Sequence, residues 1–185
     1  WGVFGNGDGD FRSPNGIAIS DNGFVYVVDT GNSRIQKFTF DGEYVSMFGQ
    51  SGKRSGNFIT PIDITINQVG ELFVTDFNNA RINVYNENGK FLRSLDSSIG
   101  GFKIGPSGIT LDKYNNIYFS DQKNNRIIQA NEFGIPFSIF GVFGQDESQF
   151  QVPMDVAIDN KGFLYVTDSL GHRIQKFTTP MVSDK

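Results

Sequence analysis

An aspartate followed five positions later by an arginine recurs four times in this 185-residue chain, always with isoleucine after the arginine. A carboxylate at a turn can cap backbone N–H groups, and a guanidinium can pair with that carboxylate or with a neighbouring unit. Because a single active site would need asymmetry, four equal copies favour a structural role for these residues. The pairs are Asp29 and Arg34, Asp76 and Arg81, Asp121 and Arg126, and Asp168 and Arg173.

Other residue types that carry out catalysis are scarce. His172 is the only histidine and cysteine is absent, whereas a zinc site needs three or four ligands, usually several His or Cys. The sequence contains no Gly-x-Ser-x-Gly motif. We therefore expect no catalytic residue and interpret His172 as a surface turn residue.

The bulk composition limits the class of partner. The net charge is −4, the isoelectric point is near 4.9, and no basic run exceeds Lys53-Arg54. Nucleic-acid binding is disfavoured, because a phosphate backbone usually requires a basic face. No apolar run reaches the eighteen residues of a membrane span. The lack of cysteine does not fix the compartment, which the sequence leaves open; an extracellular or cell-surface location is favoured over a cytoplasmic one.

The elements that position these residues repeat with a fixed period. A proline precedes each aspartate by fifteen residues, and the spacings from Pro14 to Pro61, Pro106 and Pro153 are 47, 45 and 47. Each repeat shows short apolar strands separated by turn signals such as Asp41-Gly42, with no sustained helical period. Four short antiparallel strands per unit predict an all-β propeller of four-stranded blades. The predicted domain is 1–178, with repeat cores 14–49, 61–95, 106–144 and 153–178 and a tail 179–185.

The repeated pattern resembles the NHL repeat: Pro-x-(Gly/Asp)-(Ile/Val), a strand ending in Asp, then x-x-(Asn/Gly)-x-Arg-Ile. The resemblance covers nearly all of residues 1–178, with Gly171 in place of the usual Asn in the last copy. NHL propellers usually have six blades, and four are visible here. The sequence therefore predicts either part of a longer array, which we favour, or a four-bladed ring closed by Trp1–Gly5.

Strand polarity places the Asp–Arg turns at the same end as the loops that enter each repeat, at residues 6–13, 50–60, 96–105 and 144–152. In a propeller that end is the usual binding face. The charges there are mixed, which suits a peptide or protein better than a phosphate ligand. The candidate binding residues that differ between repeats are Arg12, Lys53, Arg54, Phe77, Asn78, Lys103, Gln122, Lys123, Leu170 and His172.

Two further carboxylates, Asp63 and Asp155, stand two residues after their prolines, where the other repeats have Gly16 and Gly108. We expect this position to face the central channel near its mouth. Calcium prefers oxygen ligands, so the pair is a candidate calcium site. The simpler interpretation is that both carboxylates cap nearby backbone. No other cofactor is expected.

The predicted function is a non-catalytic binding scaffold whose loop face docks a protein, peptide or glycan, since rigid blades can carry variable loops. One alternative is a module of a metal-dependent lyase, as in the peptide-amidating lyases that resemble NHL propellers, with key ligands on blades outside this sequence. A second is single-stranded RNA binding, which would need a basic, aromatic-lined face. Self-association is expected if the ring is open.

Overall fold

A computed structural model describes residues 1–95 and 103–179. The loop pair Gly101-Phe102, Asp96 and the tail beyond 179 lie outside the described residues. The chain is all-β, as predicted: four antiparallel sheets in which sequential strands are neighbours, the blades of a β-propeller. Three sheets have four strands, and the fourth has three among the described residues.

The strand bounds define the four blades. Blade 1 contains β1 (Pro14–Ile19), β2 (Phe24–Asp29), β3 (Arg34–Thr39) and β4 (Tyr44–Phe48). Blade 2 contains β5 (Pro61–Ile66), β6 (Glu71–Asp76), β7 (Arg81–Asn86) and β8 (Phe91–Leu95). Blade 3 contains β9 (Pro106–Leu111), β10 (Ile117–Asp121), β11 (Arg126–Ala130) and β12 (Pro136–Phe140). Blade 4 contains β13 (Pro153–Ile158), β14 (Phe163–Asp168) and β15 (Arg173–Thr178).

The hairpin between the second and third strands of each blade carries the Asp–Arg pair. Asp29 lies opposite Arg34 in register, and the corresponding residues pair in the other three blades. The residue before each arginine adopts a left-handed conformation that non-glycine residues seldom occupy. These residues are Ser33, Ala80, Asn125 and His172, with φ between 50° and 55°.

The core lies between blades. The first strands β1, β5, β9 and β13 contact one another in succession. Between blades 1 and 2, Val28 and Ile35 pack with Phe58, Ile64 and Leu72 in one cluster. Both faces of β2, β6 and β10 are covered, which explains why their sequences are apolar without alternation.

The phenylalanines of the loops that enter blades 2 and 4 face inward rather than toward solvent. Phe58 and Phe150 are fully buried. Their ring centroids lie 5.7 Å from Tyr85 and 5.9 Å from Phe177. These loop aromatics belong to the core, so the loops are anchored by packing at one point each.

The two ends of the blade series are exposed. Ile17 and Ile19 of blade 1 are 58% and 55% exposed, whereas Ile64 in the equivalent position of blade 2 is 3% exposed. Ile174 of blade 4 is 70% exposed, whereas the equivalent Ile35 is fully buried. Blade 4 thus leaves blade 1 uncovered.

The N-terminal segment packs on blade 1. The Trp1 ring centroid lies 5.8 Å from that of Phe38. Within the described part of the chain, Trp1–Gly5 does not supply a fourth strand to blade 4. No helix among the described residues is long and apolar enough to cross a membrane.

Candidate binding face

The Asp–Arg pair of blade 1 ties the β2–β3 hairpin to the loop that enters β1. Arg34 Nε donates to Asp29 Oδ2 at 2.8 Å, and Nη2 donates to the carbonyls of Gly7 (2.6 Å) and Asp10 (2.9 Å). The other carboxylate oxygen of Asp29 accepts the Arg12 backbone N–H at 2.8 Å. Both side chains are buried, so these charge-assisted bonds are shielded from water.

Blade 4 repeats this arrangement with different loop residues. Arg173 Nε donates to Asp168 Oδ2 at 3.1 Å, and its Nη atoms donate to the carbonyls of Gln145, Asp146 and Gln149. In blade 3, Arg126 Nε donates to Asp121 Oδ2 at 2.7 Å. The same contact in three blades is what a scaffold residue requires.

Blade 2 keeps the loop contacts without the ion pair. Arg81 donates to the carbonyls of Lys53, Arg54 and Asn57. Asp76 instead accepts the backbone N–H groups that precede β5, and the buried Arg81 Nε has no hydrogen-bond partner within the described ranges. We interpret these arginines as loop clamps, because Arg34, Arg81 and Arg173 each hold carbonyls of the loop that enters their own blade.

Blades 1 to 3 have an asparagine in the hairpin, and blade 4 does not. Asn32 Nδ2 donates to Asp29 Oδ2 at 2.8 Å, and Asn79 and Asn124 make the same bond in blades 2 and 3. Gly171 replaces this residue and offers no side-chain donor. The next residue, His172, is exposed and has a left-handed backbone, so it occupies a turn position.

Asp63 contacts the next blade. Its Oδ1 accepts the Ile64 N–H at 2.8 Å, and its Oδ2 accepts the Ile109 N–H of blade 3 at 2.9 Å. Burial raises the pKa of the Asp63 carboxyl to about 6; the two backbone hydrogen bonds oppose this rise, and the nearby charge of Asp155 adds to it.

Asp155 is exposed, and its Oδ1 accepts the Val156 N–H at 2.8 Å. No group of three or more His, Asp or Glu side chains within residues 1–95 and 103–179 is placed to hold a metal ion. Calcium binding by Asp63 and Asp155 stays a prediction.

Three of the predicted binding residues meet around Gly105. A β-carbon on Gly105 would lie 2.6 Å from Lys123 Cβ and 3.0 Å from Phe77 Cε2, so the hairpins of blades 2 and 3 converge there. Gln122 donates its backbone N–H to the Gly105 carbonyl at 3.0 Å. Phe77 is half-buried and Lys123 is exposed, which leaves an apolar surface beside a cation.

The remaining candidates are spread along the loops. Lys53, Arg54 and Lys103 are exposed, and their backbone carbonyls hold the nearby hairpin side chains. Asn78 is exposed and donates to Thr60 Oγ1 at 2.6 Å. Leu170, beside His172, is 60% exposed. The structure therefore gathers only the Gly105 group into one cluster.

Two exposed aromatic residues were missed by the sequence-based prediction. Phe4 is 80% exposed and Phe143 is 69% exposed, each preceded by an exposed valine. The Arg12 guanidinium lies 5.5 Å from the centroid of the Phe4 ring, a cation–π contact. The signal was present in the sequence, because Gly-Val-Phe-Gly occurs before the loops of blades 1 and 4, whereas blade 2 has Gln50-Ser51.

The loop face carries both signs of charge. The exposed cations are Arg12, Lys53, Arg54 and Lys103. The exposed acids of these loops are Asp8, Asp146 and Glu147. Asp10, on the same loop as Asp8, is half-buried, and Asp96 lies outside the described residues. The face therefore presents no uniformly basic surface.

A concave site lies at the opposite end of the blades. The strand-connecting turns of blades 3 and 4 enclose a cavity of about 470 Å³. Its apolar lining includes Leu111, Ile158 and Phe163, and its rim includes Tyr114 and Thr179. It is separate from the Asp–Arg hairpins, and the sequence pattern gave no indication of it.

Comparison with known proteins agrees with this geometry. The fold and the repeated hairpins define a β-propeller, and the NHL repeat model matches residues 11–38 and 150–177, in blades 1 and 4. A stretch of 54 residues, 29% of this chain, is 41% identical to protein brain tumor of Drosophila melanogaster, of which it covers 5%. Blades 1 and 4 therefore contain NHL repeats, and the resemblance predicted from the sequence pattern is confirmed there.

Solved structures share the fold at low identity. A streptogramin B lyase matches 92% of this chain with a TM-score of 0.68 and 16% identity. A chain of a nidogen/laminin complex matches 91% with a TM-score of 0.69 and 22% identity. This chain spans 56% and 60% of those two structures, so it corresponds to little more than half of each.

Proposed function

We propose that this propeller is a non-catalytic scaffold that binds a protein or peptide through its loop face. The observation that carries the proposal is the exposure of Phe4 and Phe143, at 80% and 69%, beside loops whose carbonyls are held by Arg34 and Arg173. Aromatic residues and arginine are enriched at protein interfaces and supply much of their binding energy.

Rigidity supports this role. Arg34 holds two carbonyls of the loop that follows Phe4, and Asn32 Nδ2 donates to the Gly5 carbonyl at 2.9 Å. The segment carrying the exposed ring is thus ordered before a partner arrives. A preorganised surface binds more tightly because less conformational entropy is lost on association.

The electrostatics favour a polypeptide partner. The loops together carry both cations and acids, and the chain has a net charge of −4. Such a surface can complement a peptide of mixed charge but would repel part of a phosphate backbone. The nidogen/laminin structure provides one case in which a chain of similar fold belongs to a complex between proteins.

The proposal can be tested without a known partner. Peptides would be selected from a random phage-displayed library on the immobilised chain, and their Kd values measured by fluorescence polarisation for the native chain, Phe4→Ser and Phe143→Ser. Loss of a central aromatic contact raises Kd by about tenfold or more. At least one of the two substitutions is expected to produce this loss.

Phe133→Ser is the matched control, because Phe133 is 64% exposed but lies in the turn between β11 and β12, at the opposite end of its blade. It is expected to leave Kd unchanged. The proposal is wrong if no specific peptide is selected, or if only Phe133→Ser weakens binding.

A further inference from the structure

The exposed rings of Phe4 and Phe143 stand on the same backbone frame. The residue before each ring accepts a backbone N–H from the phenylalanine of the loop that follows, Phe11 in blade 1 and Phe150 in blade 4, at 2.9 Å in both cases. Each ring residue also forms a short parallel bridge with that phenylalanine. The two sites therefore differ only in the side chains around the rings.

In blade 1 the chain supplies its own cation to the ring. The Arg12 guanidinium lies 5.5 Å from the centroid of the Phe4 ring. A β-carbon on Gly31 would lie 2.5 Å from Arg12 Cγ, so the stem of the arginine lies directly over this glycine. One arginine side chain thus spans the hairpin of blade 1 and the exposed ring.

Blade 4 keeps the backbone of this site but not the cation. Gln151 stands in the position of Arg12, and Leu170 stands in that of Gly31. Leu170 N donates to the Gln151 carbonyl at 2.9 Å, as Gly31 N does to the Arg12 carbonyl at 2.8 Å. Because one arginine side chain spans the same two positions in blade 1, Leu170 lies close to the Phe143 ring.

The blade 4 patch consists of Val142, Phe143 and Leu170, which are 61%, 69% and 60% exposed. Asp146 and Glu147 follow on the same loop, and both are exposed. Three residues separate Phe143 from Asp146, so their Cα atoms lie within about 11 Å of each other. An apolar surface is thus bordered by two carboxylates.

The charge of this region has one sign. Residues 127–160 include five acidic residues and no lysine or arginine. Arg173 lies nearby, but its Nε donates to Asp168 and its Nη atoms to loop carbonyls. Such a surface complements a cation of a partner and disfavours an acidic one.

We propose, building on the peptide-binding function above, that the blade 4 patch binds a basic peptide segment. An arginine of the partner would take the place that Arg12 takes in blade 1. Its guanidinium would stack on Phe143, its methylene stem would lie on Leu170, and the carboxylates of Asp146 and Glu147 would pair with its charge. Arginine suits this site because it stacks on aromatic rings and packs its stem on apolar surface.

Fluorescence polarisation with a labelled decapeptide of alternating arginine and glycine tests the proposal. The comparison peptide has citrulline in place of every arginine, which keeps the shape of the side chain and removes its charge. At low salt, where exposed charges are weakly screened, the native chain is expected to bind the arginine peptide at least tenfold more tightly.

Two changes in the chain should each raise the Kd of the arginine peptide about fivefold or more. Phe143→Ser removes the ring, and the pair Asp146→Asn and Glu147→Gln removes both charges. All three positions are exposed, so the variants should fold, which circular dichroism checks.

Matched controls separate the patch from the overall charge. Asp21→Asn with Asp41→Asn removes the same charge from exposed turns at the opposite end of blade 1 and should leave Kd within about twofold. Phe4→Ser should also leave it unchanged, because Arg12 already covers that ring.

A third change should close the patch. Gln151→Arg together with Leu170→Gly copies the blade 1 arrangement, so the chain would cover Phe143 with its own guanidinium. The arginine peptide is expected to bind about fivefold more weakly to this double variant than to Leu170→Gly alone.

Equal affinity for the arginine and citrulline peptides, or a Kd that Phe143→Ser leaves unchanged, would overturn this inference. The peptides selected from the random library distinguish its failure from that of the scaffold. Selected peptides that depend on Phe143 but contain no arginine or lysine would overturn only the inference. The lack of any peptide that depends on Phe4 or Phe143 would overturn both.

Discussion

Blades 1 and 4 contain the same six residues in their third strands, Arg-Ile-Gln-Lys-Phe-Thr at 34–39 and 173–178. Ile35 is fully buried, whereas Ile174 is 70% exposed. Contacts inside the blade are the same: each lysine lies 3.8 Å from a phenylalanine ring, and each arginine pairs with its aspartate. The comparison shows that the strand sequence determines contacts within a blade, while burial depends on the blade that follows.

The largest expected difference between blades 1 and 4 is in the stability lost when the arginine of the Asp–Arg pair is replaced. Arg34→Ala leaves the buried Asp29 carboxylate without its cation and should lower the free energy of unfolding by about 3–5 kcal/mol. Arg173 is 28% exposed in its side chain, so water can partly replace it, and Arg173→Ala should cost less than half as much. Urea unfolding of dilute protein measures both. Equal losses of unfolding free energy in the two variants would show that the arginines of blades 1 and 4 do not differ in their contribution to stability.

Replacement of Ile35 and Ile174 should give a smaller difference in the free energy of unfolding, and one that involves no charge. Ile35→Ala creates a cavity between blades 1 and 2 and should lower the free energy of unfolding by about 2–5 kcal/mol. Ile174→Ala removes side-chain atoms that are already in water and should change it by no more than about 0.5 kcal/mol. Chemical unfolding at a concentration at which the chain is monomeric is the measurement. A large loss for Ile174→Ala there would show that blade 4 is covered within one molecule.

Asp63 gives the smallest of the three effects, visible as a pH dependence. Its carboxyl pKa is raised from 3.8 to about 6, so the folded state holds the proton more tightly than the unfolded state. The stability from this group is fully present below pH 3.8 and is lost as pH rises through about 6. Between pH 4 and 7 the native chain should lose roughly 2 kcal/mol relative to Asp63→Asn.

Thermal unfolding of the native chain and Asp63→Asn across that pH range checks the sign. The hydrogen bonds lost in Asp63→Asn lower its Tm by the same amount at every pH. Titration of the Asp63 carboxyl instead makes the Tm difference between the two proteins change with pH. Parallel curves would show that the carboxyl is not the titrating group.

The repeat period and the Asp–Arg spacing were sufficient to predict the propeller, because strand positions follow from local pattern. The hydrogen-bond partners of the arginines could not be predicted in this way. Arg34 donates to the carbonyls of Gly7 and Asp10, which lie 27 and 24 residues earlier, and the sequence does not specify such contacts. The acceptor role of Asp63 toward Ile109 depends on the packing of adjacent blades, which the repeat pattern leaves open.

The candidate face was predicted only in outline. Loop position identified Phe77, Gln122 and Lys123, which converge at Gly105. Phe4 was overlooked because Trp1–Gly5 was considered only as a segment that could close the ring, and Phe143 because it falls within the predicted repeat core 106–144. Hydrophobicity alone does not show whether an aromatic residue beside a loop turns inward, as Phe58 does, or outward.

Solvent paramagnetic relaxation of isoleucine δ1 methyl groups, with a soluble gadolinium chelate, tests the contrast between blades 1 and 4 most directly. In dilute protein we expect strong relaxation of Ile174 and Ile17 and little of Ile35. The exposed control Ile135 should relax as strongly as Ile174. Protection of Ile174, or strong relaxation of Ile35, would contradict the account.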